Sequence, residues 1–291
     1  MTISELQTGS LVERLQRFVL RSVATSAGDI EFRQVGPAVG DATLVLAHGI
    51  GSGSASWLMQ LEAAQRKPGV RLIAWEAPGY GRSSPVMPEN SDAGDYAGRL
   101  WAWLDALKID HPVTLVGHSL GALMLARAAL QQPARVARLV LLAPAQGYAR
   151  ASAQDRAAKL ADRLTTLNTL GLAGMAQKRG AAMLSPEADP ELVRYVQAVM
   201  AGLHPAGYAQ AVHLLVGGDL LTDLVQLRCP VVVASGQLDT ITPPEGCQKV
   251  ATTAGVRWTD LGQAGHACAL DAPDRVSALL GLSGPKQEDQ T

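Results

Sequence analysis

This 291-residue chain is poor in aromatic side chains, at 4%, with only two phenylalanines. Its core must therefore be built mostly from aliphatic groups. Cysteine is scarce: Cys229, Cys247 and Cys268 have no metal-ligand spacing, and an odd count argues against a disulfide framework. A reducing, cytoplasmic setting is expected from that usage. Neither sign of charge dominates, with 25 basic against 26 acidic residues. Without a basic stripe, no nucleic-acid partner is expected. No apolar run reaches the ~18 residues that a membrane span needs. The opening stretch from Met1 to Arg17 lacks the apolar core and cleavage site of a secretory signal. The six histidines include no H-E-x-x-H or other compact ligand set, so no metal and no cofactor are expected. The oligomeric state is not legible, and a homo-oligomer stays open.

What is abundant is hydrophobic material, 47% of the residues, beside 18% charged. That is enough for one large domain or a domain with an insertion. Residues Leu6 to Val19 read as an amphipathic arm, and Val23 to Gln34 as a hairpin around Gly28. Apolar runs at Ala42–Ala47, Val70–Glu76, Pro112–Val116 and Val136–Ala143 read as strands. Helices are expected at Ser56–Gln65, at Asp92–Leu107 with a stripe through Tyr96, Leu100, Trp103 and Leu107, and from Ala122. This alternation predicts an α/β fold: a mainly parallel central sheet flanked by helices. The pattern then breaks. From Gly147 to Thr222 no strand is legible, and helices are expected at 154–170, 172–184, 190–203 and 206–216. Strand and helix signals resume at Pro230–Gly236, Pro244–Thr253, Val256–Leu261 and Pro273–Leu282. The expected organisation is an arm (1–19), core (20–146), helical cap (147–222), core (223–283) and a disordered tail (284–291).

The chemistry concentrates at strand ends. Gly117-His118-Ser119-Leu120-Gly121 joins an apolar strand to an apolar helix, the layout of a nucleophile elbow. The two glycines allow strand and helix to approach around a sharp turn that thrusts the serine hydroxyl outward. A serine needs a base, and the base an orienting acid. Asp239 follows the strand Val231–Ala234, and His266 follows the last strand. The order Ser119, Asp239, His266 suits a catalytic triad, whereas Asp223 and Asp260 sit less well as the acid. The loop His48-Gly49-Ile50-Gly51-Ser52-Gly53 ends another strand. Its Ile50 N–H and that of Leu120 are expected to form an oxyanion hole. The loop lacks the lysine of a phosphate loop. Trp57, Tyr148, His204 and His213 are candidate pocket residues, His48 is expected to bond loop backbone, and His118 to turn away from the serine.

Together these motifs, with Pro78-Gly79-Tyr80-Gly81-Arg82-Ser83, resemble the α/β-hydrolase superfamily from about Ala42 to Leu282. The chain looks like capped bacterial serine hydrolases: 3-oxoadipate enol-lactonases, small esterases and meta-cleavage-product C–C hydrolases. Many relatives have aspartate where Glu76 stands. His118 and Leu120 replace the asparagine and methionine often found in C–C hydrolases. Ser119 excludes the aspartate nucleophile of haloalkane dehalogenases. The resemblance implies cleavage of a small, mostly apolar carboxylic ester or lactone through an acyl-enzyme. Its alternatives are C–C bond hydrolysis of a diketone acid, cofactor-free dioxygenation, and ligand binding without catalysis. A cap arginine facing the pocket, from among Arg156, Arg163, Arg179 and Arg194, would favour the C–C reading, and the sequence does not orient them.

Overall fold

The computed structural model describes residues 10–38, 40, 42–88 and 90–283. The outer part of the expected arm and the expected tail lie outside these residues. One eight-stranded sheet runs in the order β1-β2-β4-β3-β5-β6-β7-β8. Its strands are β1 (Arg21–Thr25), β2 (Gly28–Val35), β3 (Ala42–Ala47), β4 (Val70–Trp75), β5 (Val113–His118), β6 (Val136–Leu142), β7 (Val231–Ser235) and β8 (Trp258–Asp260). The hairpin of β1 and β2 pairs antiparallel and joins β4 antiparallel; every other pair is parallel. β4 is buried along its whole length. That is why β4 reads as an apolar run broken only by Arg71, since both faces of the sheet are covered there.

Helix α1 (Leu11–Gln16) precedes the sheet. Helix α2 (Leu58–Gln65) packs on one face, and α3 (Ala93–Ala106) and α4 (Leu120–Gln131) on the other. Of the predicted stripe, Tyr96, Leu100 and Trp103 are each at most 1% exposed, while Leu107 stands at the helix C-cap and is half-buried. The few aromatics are pooled, with Trp103 stacked on Trp75 at 5.9 Å and edge-on to Phe32 at 5.4 Å. At the β5–α4 turn, a Cβ on Gly117 would lie 2.6 Å from the Gly121 carbonyl oxygen. One on Gly121 would lie 2.4 Å from that of Ala47. Only glycine permits this approach.

The helical insertion holds α5 (Ala153–Arg179), α6 (Pro190–Ala201), α7 (Pro205–Gly217) and α8 (Leu220–Leu224). Two helices were expected, at 154–170 and 172–184, and α5 is two helical halves that meet at Gly171, where φ is 62° and ψ is 177°; the second half ends at Arg179, and a 3-10 turn at Ala181–Met183 follows. Gly171 has open space around it, so its role is conformational. Gly171→Ala is expected to destabilise the protein by about 1–3 kcal/mol through backbone strain alone. Urea unfolding measures this, and an unchanged midpoint would refute it. Helix α9 (Pro244–Thr253), α10 (Cys268–Asp271) and α11 (Pro273–Leu279) complete the body. Among the described residues no helix is long and apolar enough to cross a membrane.

Candidate active site

The loops after β3, β5, β7 and β8 emerge at one edge of the sheet because those strands are parallel. A cavity of about 550 Å³ opens there, and Ile50, Ser119, Leu120 and His266 line it. Strand β5 runs straight into Ser119, which adopts φ 52° and ψ −114°, a region that non-glycine residues rarely occupy. The backbone holds the turn from three sides. Ser119 N–H donates to Leu142 O at 3.0 Å, and its carbonyl accepts from Ala122 and Ala145, each at 3.1 Å. Leu120 begins α4, so its N–H has no intrahelical acceptor. Neither it nor the Ile50 N–H finds a protein acceptor among the described residues.

His266 stands between the cavity and Asp239. Its Nδ1 lies 2.9 Å from Asp239 Oδ2. The other carboxylate oxygen accepts from the N–H groups of Ile241 at 2.8 Å and Thr242 at 2.9 Å. Thr242, which sequence reasoning missed, places its hydroxyl 2.7 Å from Asp239 Oδ2 and 3.0 Å from Ala143 O, one proton facing two acceptors. Burial alone would push the Asp239 carboxyl up. The hydrogen bond and charge of His266, with the Thr242 bonds, outweigh it and hold the group below the usual carboxylate range. The competing acids lie elsewhere: Asp223 pairs with Arg127 at 2.7 Å, and Asp260 is engaged by Gln237 and Gly262 N–H.

His118 does not turn away from the site. It lies on the cavity wall with its ring 4.8 Å from that of His266, and Nε2 donates to the His266 carbonyl at 2.8 Å. Burial and the neighbouring His266 push it down to about 3, so it braces the loop as a neutral imidazole. His48 bonds loop backbone as expected, with Nδ1 to Gly49 O at 2.8 Å and Nε2 accepting from Ala77 N–H at 3.0 Å. Burial pushes it down to about 4. Tyr80 packs edge-on to His48 and donates its hydroxyl to Ile50 O at 2.8 Å. Both contacts hold the loop that presents the Ile50 N–H.

Beneath that loop, Glu76 Oε1 accepts from the backbone N–H and the hydroxyl of Ser54, and Arg33 Nε donates to the same hydroxyl. Burial pushes Glu76 up to about 7, against the opposing Ser54 bonds and Arg33 charge. Its ordinary value is 4.5. The stability tied to its neutral form is therefore present below about pH 4.5 and lost as pH rises through about 7. Glu76→Gln keeps the Oε1 acceptor and stays neutral. It should gain on the wild type by about 1–3 kcal/mol between about pH 5 and pH 8. Urea midpoints at the two pH values read this, and a difference that does not vary with pH would count against it.

Of the expected pocket residues, Tyr148 lies on the cavity wall. Trp57 is fully buried behind the loop, edge-on to His118. His204 is exposed at the start of α7, and His213 is half-buried outside the cavity. Two residues that the sequence could not orient, Arg163 and Arg179 of α5, do line the cavity. The three cysteines are free thiols. Burial pushes Cys247 up to about 11 and raises Cys268 as well, which leaves them poor nucleophiles. Among the described residues no group of His, Cys, Asp and Glu could hold a metal ion.

A family model described as alpha/beta hydrolase fold matches residues 42–273. A Klebsiella pneumoniae protein provisionally named carbamate hydrolase RutD is 28% identical over 268 residues, covering 85% of this chain and 93% of its own. The enol-lactonase of Burkholderia xenovorans LB400 is similar in structure, with a TM-score of 0.78 at 21% identity, over 90% of this chain and 98% of its own. A thermophilic esterase from Thermogutta terrifontis has a TM-score of 0.77 at 23% identity, over 90% and 97%. These two likenesses show a shared fold.

Proposed function

The chain belongs to the α/β-hydrolase fold family, and from that premise we propose that it is a serine hydrolase of small carboxylic esters or lactones. Ser119 is the nucleophile, His266 the base and Asp239 the orienting acid. Residues 147–222 serve as a cap over a body formed by 20–146 and 223–283. A cytoplasmic setting is part of the same proposal and rests on the sparse, odd-numbered cysteines of the sequence. The observation that carries the reading is the 2.9 Å contact of His266 Nδ1 with a buried Asp239, on a cavity that Ser119 also lines.

In the first step His266 Nε2 takes the Ser119 proton as Oγ bonds to the substrate carbonyl carbon. Asp239 accepts the Nδ1–H and stabilises the imidazolium. The carbonyl oxygen becomes an oxyanion, received by the N–H groups of Ile50 and Leu120. Each such donor is worth about 10²–10³ in rate. The tetrahedral adduct collapses, His266 protonates the departing alkoxide, and an acyl-Ser119 remains. Water, deprotonated by His266, then releases the acid. Carbamates, which the relatives' name invokes, make the same demands on these groups.

The test is covalent labelling with an uncharged fluorophosphonate, followed by peptide mapping. Label on Ser119 is expected. Label elsewhere, or none, would refute the reading. A second reading, C–C hydrolysis of a carboxylate-bearing diketone, is favoured by Arg163 and Arg179 on the cavity wall. It uses the same residues on a ketone carbonyl, and it predicts turnover of dienone acids beyond that of esters.

A further inference from the structure

The insertion side of the cavity is lined by apolar groups, among them Met175, Met183, Met200 and Leu215, yet Arg163 and Arg179 enter it as well. No aspartate or glutamate lines it. Among the described residues neither arginine has a hydrogen bond or an ion pair, and Arg163 Nε is buried without a partner. Some of the chain's other arginines pair with carboxylates, as in Arg14–Glu62, Arg135–Asp105 and Arg150–Asp219. A guanidinium stays charged at any relevant pH and offers five N–H donors. Two of them line one mostly apolar cavity without a protein acceptor among the described residues. A ligand that supplies anionic oxygen atoms gives both a partner.

The convergence is a product of the backbone. The two arginines flank Gly171, each eight positions from it. Along a straight helix they would stand roughly 24 Å apart, too far to line one small cavity. The break at Gly171, with φ 62°, re-aims the two halves of α5. Arg179 sits in the last turn of this helix, where carbonyl groups point outward. That end offers no cradle of N–H groups of the kind that receives phosphate.

We propose that the substrate carries a carboxylate remote from its scissile carbonyl, bound by Arg163 and Arg179, with a short apolar spacer between the two ends. For the reacting end the proposal rests on the serine-hydrolase reading above. Substrates of this class are half-esters or lactones of dicarboxylic acids, or keto acids of similar length. The expected mostly apolar substrate is thereby given one anionic end.

Two measurements test this. Calorimetry with glutarate reads the carboxylate subsite without chemistry. Binding to the wild type is expected to weaken by at least about tenfold in Arg163→Gln and in Arg179→Gln. The Arg→Lys variants should retain part of the affinity, which separates lost charge from misfolding. Kinetics then compare p-nitrophenyl glutarate, charged at its far end, with neutral p-nitrophenyl valerate. The kcat/KM ratio should favour the charged ester by about tenfold or more in the wild type and fall towards unity in the double Gln variant. A wild type that binds no glutarate and has a ratio near unity would overturn the proposal, even with Ser119 labelled by fluorophosphonate. Binding of inorganic phosphate in preference to glutarate would overturn it too. Arginine-dependent glutarate binding without Ser119 labelling would support the subsite and refute the serine-hydrolase reading.

Discussion

Ser119→Ala is expected to abolish the pre-steady-state burst and the acyl adduct with short p-nitrophenyl esters, and to lower kcat by about 10⁴–10⁶. The loss is large because the hydroxyl is the atom that bonds to the substrate, and no other group of the cavity can replace it. Cys268 is fully buried with its thiol raised by burial. The neighbouring His118 is held neutral with Nε2 committed to a carbonyl. Folding should change little. Ser119 is held by its backbone bonds to Leu142, Ala122 and Ala145, all of which alanine keeps. The positive φ of Ser119 disfavours alanine as it disfavours serine. Intact-mass spectrometry within the first turnover checks the result. An adduct or burst that survives in Ser119→Ala would remove the serine from the mechanism.

Asp239→Asn should lower kcat by about 10⁴ at neutral pH while leaving the fold intact. Asp239 Oδ1 accepts two backbone N–H groups, from Ile241 and Thr242. In the variant the amide oxygen keeps that place, which puts the NH₂ where Oδ2 now faces His266. An NH₂ there donates to Nδ1, so the ring must carry its proton on Nε2. That nitrogen can then no longer take a proton from Ser119. The imidazolium also loses its counter-charge. Thr242→Val provides the graded comparison. It removes one hydroxyl beside the same carboxylate oxygen without changing the tautomer, so its effect should be far smaller. Steady-state kinetics with verified folding reads both. Asp239→Asn within tenfold of the wild type would show that Asp239 is not the orienting acid.

The sheet and the helices of the body were legible because each strand buried on both faces is a short, predominantly apolar run. Helix α3 was legible because its apolar positions recur at helical spacing and end at Leu107. Ser119, Asp239 and His266 could be assigned to one edge because Ser119 directly follows a strand and the other two lie in loops that follow strands, and parallel strands end on the same side. Contacts between loops far apart in sequence were not legible. The bond from His118 to the His266 carbonyl joins residues 148 positions apart, and the Thr242 hydroxyl also faces the Ala143 carbonyl, 99 positions away. Trp57 directly follows the Ile50 loop in sequence, yet packs behind it, fully buried.

The sequence by itself determined the strand and helix alternation, the glycine-flanked serine and the order of the three polar groups. These are local matters of apolar spacing and of where a backbone has room only for hydrogen. Which insertion residues face the serine was decided by the tertiary structure. A helix turns 100° per residue, so a break such as that at Gly171 re-aims every side chain beyond it. Hydrophobic spacing sets which face of each half is buried, but not the angle between the halves. That angle carries Arg163 and Arg179 to one cavity, and it arises when the two halves of α5 settle against α6 and α7.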